Sequence, residues 1–112
     1  MPEITRLYTG DDGQSHIEVI DLATFPDMDK LFKATGIMFR SAPPGHFLDW
    51  QPAPRRQYVI TLSGEVEIGL ADGTVRRFGV GHVTLAEDLT GKGHTTRVVG
   101  DVPRITATVP LD

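Results

Sequence analysis

Residues 57–82 read QYVITLSGEVEIGLADGTVRRFGVGH. Gln57 to Ser63 is rich in β-branched and aromatic side chains, which suit a pleated, half-buried surface, and Gly64 closes the run. Val66, Ile68 and Leu70 then alternate with Glu65, Glu67 and Gly69. A period of two is that of a strand with one buried and one polar face. Ala71-Asp72-Gly73-Thr74 contains Asp-Gly, the pair that best tolerates the positive φ of a tight hairpin turn. The chain returns along Val75 to Phe78 and turns again at Gly79-Val80-Gly81. Strands joined by connections this short pair locally, without a helix between them.

The same grammar extends outward. Ile4 to Tyr8 and His16 to Leu22 read as strands joined by a turn at Asp11-Asp12-Gly13. Ile37 to Ser41 precedes a turn at Pro43-Pro44-Gly45, and Val83 to Ala86, Thr95 to Val99 and Arg104 to Val109 follow the central run. Pro52 and Pro54 hold the segment before Gln57 extended and place it at a sheet edge, because proline cannot donate to a ladder. This predicts nine or ten strands in an all-β sandwich or barrel. At most one short helix is expected. Phe25, Met28, Leu31 and Phe32 recur at helical spacing, with Thr24 or Asp27 as a cap and Gly36 as a stop. That segment is either a short flap packing its aromatic residues on the sheet or a lid over a ligand cavity.

Composition sets the outer bounds. The 112 residues, 39% of them hydrophobic, suffice for one domain over 1–112 with one core. Fifteen acidic against eleven basic residues give a net charge of −4, which disfavours nucleic acid as a partner. With no cysteine there is no disulfide, thiolate metal site or cysteine nucleophile. No apolar run approaches the roughly 20 residues that span a bilayer. The first twenty residues mix charge with apolar side chains, unlike a secretory leader, so no membrane partner and a cytoplasmic location are expected. No Gly-x-Ser-x-Gly elbow accompanies a serine, and GKGH at 91–94 lacks the first glycine of a phosphate-binding loop, that position being Ala86.

The order of strands and glycines resembles that of the cupin superfamily. Its first motif reads Gly, five residues, His, any residue, His, three or four residues, Glu, six residues, Gly. Counted from Gly45 to Gly64, both glycines match, while Gln51 and Ala53 stand at the two His positions and Gln57 at the Glu position. The second motif opens at Gly81, and its His position falls on Lys92; His94, in GKGH, reads as that position displaced by a two-residue insertion within 88–93. Glu87 replaces this motif's Pro and Val98 its Asn. The resemblance covers residues 45–98 and implies a small, single-domain, RmlC-like jelly roll, the double-stranded β-helix of the cupin barrel.

Members of the superfamily commonly bind Fe, Mn, Ni or Zn through those four positions. Such metals want imidazole and carboxylate donors at about 2.0–2.2 Å, whereas Ala53 donates nothing and the neutral amides of Gln51 and Gln57 are weak donors. The expectation is no resident metal. A divalent ion at His94 would need Glu87 or Asp88 to swing in. Two functions then compete. One is metal-independent binding of a small molecule, with Gln51, Gln57, Thr61 and Arg55 as binding residues. The other is enzymatic, an isomerase or lyase using His94 as acid or base with Glu87 or Asp88 orienting its ring, or a degenerate metal-dependent, oxygenase-like cupin. A polar plug is the structural alternative, with His94 bonded to Gln57. His16, His46 and His82 are expected at the surface, Trp50 in the core and Arg55 paired with an acid such as Asp49. Tyr58, Ile60 and Leu62 should face away from Gln57 and offer the apolar row of a homodimer.

Overall fold

The computed structural model describes residues 3–24 and 30–111. Among these residues ten strands follow one another: β1 Ile4–Thr9, β2 Ser15–Ile20, β3 Met38–Ala42, β4 Phe47–Gln51, β5 Gln57–Ser63, β6 Glu65–Gly69, β7 Val75–Phe78, β8 Val83–Glu87, β9 His94–Val99 and β10 Arg104–Pro110. They form a six-stranded sheet in the order β2-β1-β8-β5-β10-β3 and a four-stranded sheet in the order β4-β9-β6-β7. The two sheets remain separate ladders. No helix occurs among the described residues, and none is long and apolar enough to cross a membrane.

The central run folds as its pattern demands. β6 and β7 pair antiparallel across the Asp-Gly turn, where Leu70 N–H donates to the Thr74 carbonyl at 2.8 Å and the Asp72 carboxylate accepts from Thr74 N–H at 2.8 Å. Val66, Ile68, Leu70 and Phe78 then point inward and meet Leu7 of β1, with Ile17 packed alongside. Burying such side chains stabilises by roughly 1.5–3 kcal/mol each. This small cluster joins the two sheets, while buried Thr5, Gln57, Thr61, Asp88, Thr106 and Thr108 make other parts of the interior polar.

Two pairings lie beyond short-range patterning. β1 runs parallel to β8, with Leu7 opposite Ala86. β10 lies between β5 and β3 and carries a register shift between Ile105 and Thr106. Of the expected helix, residues 25–29 lie outside the described residues, and residues 30–36 are not helical. Ala34 bridges Leu111, Leu31 is fully exposed, and Phe32 meets the Tyr58 ring edge-on at 5.7 Å.

Three side-chain expectations are corrected. His82 is buried, because the turn folds its ring onto Phe78 at 3.7 Å between centroids and within 3.0 Å of the Thr5 hydroxyl. Trp50 is not in the core; it is 36% exposed on an edge strand, under the Lys92 ammonium at 4.1 Å. Among the described residues Arg55 pairs with no acid, its Nη1 donating instead to Gln57 Oε1 at 3.4 Å.

A candidate ligand cavity between the sheets

Gln51 and His94 stand directly opposite each other where β4 meets β9. The two-residue insertion before His94 is absorbed in the loop. Gly93 makes this possible: its φ is +79°, and a Cβ there would overlap the Gln51 carbonyl and the Pro52 nitrogen. On the other sheet, Gln57 opens β5 opposite Ala86 of β8. Gln51, Ala53, Gln57 and His94 thus border one cavity of about 230 Å³.

Leu7, Leu48, Val59, Ile68 and Ala86 provide apolar wall, and Thr84, Thr96, Thr106 and Thr108 provide hydroxyls. Three arginines, Arg40, Arg55 and Arg104, also line it, and among the described residues no carboxylate does. Arg40 and Arg55 are exposed, so they form the rim, while Arg104 borders the cavity from the start of β10, between β5 and the β3 edge.

His94 is held from behind. Its Nδ1 lies 2.5 Å from Asp88 Oδ2, and the same oxygen accepts from the Ser15 hydroxyl at 2.7 Å. Asp88 is fully buried. A carboxylate on Nδ1 fixes the ring and leaves Nε2 for the cavity side. Bonding to Asp88 replaces the Gln57 bond of the plug arrangement.

Glu87 is on the opposite face of β8 from Thr84 and Ala86, because side chains alternate along a strand. There it accepts from Arg6 Nε and Arg56 Nε at 2.5 Å each. Burial pushes the Glu87 carboxyl up, but the two guanidinium bonds outweigh burial and hold it below the ordinary carboxylate range. Glu87 is therefore not brought to His94; Asp88 is. Thr61 also lies apart from the cavity. Its hydroxyl is buried without a hydrogen-bond partner, and its backbone bonds to Gly81 and His82.

The donor set of a transition-metal site is not assembled. Around His94 stand two amides, an alanine methyl and a carboxylate already shared with Ser15, and no group of three His, Cys, Asp or Glu converges among the described residues. Such a set does not fit a metal that requires several imidazole or carboxylate donors.

No family model matches the sequence, and no match is found among curated proteins. Solved structures do match. The cupin domain of Schizosaccharomyces pombe Cnp3 superposes with a TM-score of 0.53 at 16% identity, covering 100% of this chain and 89% of that one. The chain has the cupin fold. Protein NMB1881 from Neisseria meningitidis is similar too, with a TM-score of 0.51 at 15% identity over 85% of this chain and all of the other. At such identities the likeness speaks for the cupin fold alone.

Sequence reasoning passed over Arg40, Arg104 and Ser15. One signal for Arg104 was present. In RITATVP, Arg104, Thr106 and Thr108 share one strand face and Ile105, Ala107 and Val109 the other. Hydrophobic-inward logic points the first set to solvent, yet these three line the cavity.

Proposed function

We propose that this chain binds a small molecule in the cavity between its sheets and does so without a transition metal. The observation that carries this reading is the cavity itself, in which polar groups converge beside an apolar wall, as they do in small-molecule sites. Gln51, Gln57, Arg55 and the Nε2 side of His94 are the groups placed to orient a ligand. Thr61 is left out of the set.

A thermal-shift screen of metabolites tests the proposal, since a ligand that binds only the folded state raises its melting temperature. Ala86→Phe fills the chamber and should abolish any shift found with the wild type. Bound metal should be substoichiometric in protein purified without a histidine tag. Near-stoichiometric Fe, Mn, Ni or Zn would overturn the metal-independent reading.

A second reading, acid–base catalysis, is favoured by the Asp88–His94 pair bordering the cavity. It predicts that Asp88→Asn lowers turnover far more than ligand affinity. Tyr58 takes no part in it, being on the opposite face of β5 from Gln57. A homodimer belongs to the same proposal. Phe39, Leu62 and Ile105, exposed at 68%, 49% and 39%, support pairing through the outer face of β3, β10 and β5, and light scattering at micromolar concentration tests it. A cytoplasmic setting is likewise proposed, to be checked by cell fractionation.

A further inference from the structure

We propose that the cavity selects a small organic anion, its carboxylate or phosphate seated on the Arg104 guanidinium; this rests on the binding function above and names its ligand class. Arg104 makes the case. It borders the cavity from β10, its Nε is buried without a hydrogen-bond partner, and no carboxylate among the described residues lies within ion-pair reach of it. Burial lowers its pKa to about 10, which still leaves it charged at neutral pH. Arg104 is half-buried as a residue, and a cation partly withdrawn from water with no counter-charge is costly. An incoming oxyanion removes that cost and can take two parallel N–H bonds from the guanidinium fork.

The surroundings agree in sign. Arg40 is opposite Thr106 across the β3–β10 pair, and Arg55 is at the rim beside Gln57. Both add positive potential where a ligand enters, and low-dielectric walls focus such a field. The Asp88 carboxylate is turned away, shared by His94 and Ser15. The body of the ligand follows from the remaining wall. Leu7, Val59, Ile68 and Ala86 offer apolar contact, so the anion carries a short hydrocarbon or ring rather than being a bare inorganic ion. A chamber of about 230 Å³ admits only a small one.

Calorimetric titration with benzoate, phenyl phosphate, inorganic phosphate and the neutral isostere benzamide tests the inference on the full chain. The expected result is that benzoate or phenyl phosphate binds at least tenfold more tightly than benzamide and inorganic phosphate. Which of the two leads tells a carboxylate ligand from a phosphate ester. Arg104→Met should lower that affinity at least tenfold while melting no lower than the wild type, and Arg104→Lys should keep part of it. Equal binding of benzamide and benzoate, or unchanged affinity in Arg104→Met, would overturn the inference. Should Arg104→Met not fold, the acid-against-amide comparison on wild-type protein decides alone, and failure of every acid to bind counts against the inference. A metabolite that Ala86→Phe excludes but Arg104→Met binds unchanged would leave the binding function standing and remove the anion.

Discussion

The two faces of the six-stranded sheet treat arginine in opposite ways. On the outer face Arg6 and Arg56 both donate to Glu87, and Arg6 also lies over the Tyr8 ring at 4.3 Å. Burial lowers the Arg6 pKa, but the bonds and charges of Glu87 and Glu18 together outweigh it and raise the pKa. On the inner face Arg104 is more deeply buried and has no acid beside it among the described residues, so burial acts unopposed and lowers its pKa. One face spends its cations on structure. The other keeps a cation available, at a cost in stability, near a carboxylate whose Oδ2 is shared by His94 and Ser15. The contrast separates residues that hold the cupin fold together from residues that await a ligand.

The most severe way to disturb the inner face is to break the Ser15–Asp88–His94 network. Asp88→Ala leaves the Ser15 hydroxyl and the His94 ring without their shared acceptor, and should cost about 3 kcal/mol, by analogy with buried pairs that lose one partner. Urea unfolding measures it. A loss below about 1 kcal/mol would mean that Asp88 is dispensable to the fold.

Next in size is the acid response of His82. Burial first, then the charges of Arg104 and Arg76, lower its pKa from the ordinary 6.5 to about 4. The folded state therefore resists protonation, and the unfolded state binds the proton first as pH falls. Stability from this group is complete above pH 6.5 and drains away between pH 6.5 and 4, by up to about 3 kcal/mol at 1.36 kcal/mol per unit. Unfolding measured across that range should show the slope in wild type and a shallower one in His82→Gln. Equal slopes would remove His82 from the account.

The outer clamp should respond more mildly. Glu87→Gln ought to destabilise by about 1–2 kcal/mol, since two half-exposed guanidinium groups recover water when the carboxylate goes. Its pH dependence has a fixed sign. The folded-state pKa is depressed, so the clamp stabilises fully above the ordinary carboxylate value and is lost as pH falls through the folded one. Smallest, and opposite in direction, is Arg104→Met. Removing an unpaired buried charge in favour of an apolar side chain of similar length should raise stability by about 1 kcal/mol. Loss of stability on that substitution would place Arg104 with the structural arginines and dissolve the contrast.

Much of the fold was legible because its turns are local. β5 and β7 begin and end where their residues predict, since Gly64 and the Asp-Gly turn punctuate them. Glycine spacing put Gln51 and His94 at ligand positions of one motif pair, and the fold sets them opposite each other even with a longer loop. The parallel contact of β1 with β8 was not, because nothing in residues 4–9 encodes a partner nearly eighty positions away. β4 read only as an edge segment, its exposed pattern lacking a buried row. The site was harder still. Its inner face is lined by threonines and arginines, so the rule that places apolar residues inside assigned β10 no functional side chain. Glu87 and Asp88 are adjacent, and alternation sends one to each face; only the fold tells which one meets His94.

Metal-independent binding in the inner cavity is best tested by titrating an organic acid that binds, benzoate or phenyl phosphate, before and after exhaustive dialysis against EDTA. Unchanged affinity after chelation is the predicted result. Loss of binding on chelation, restored by adding back Zn or Mn, would contradict it.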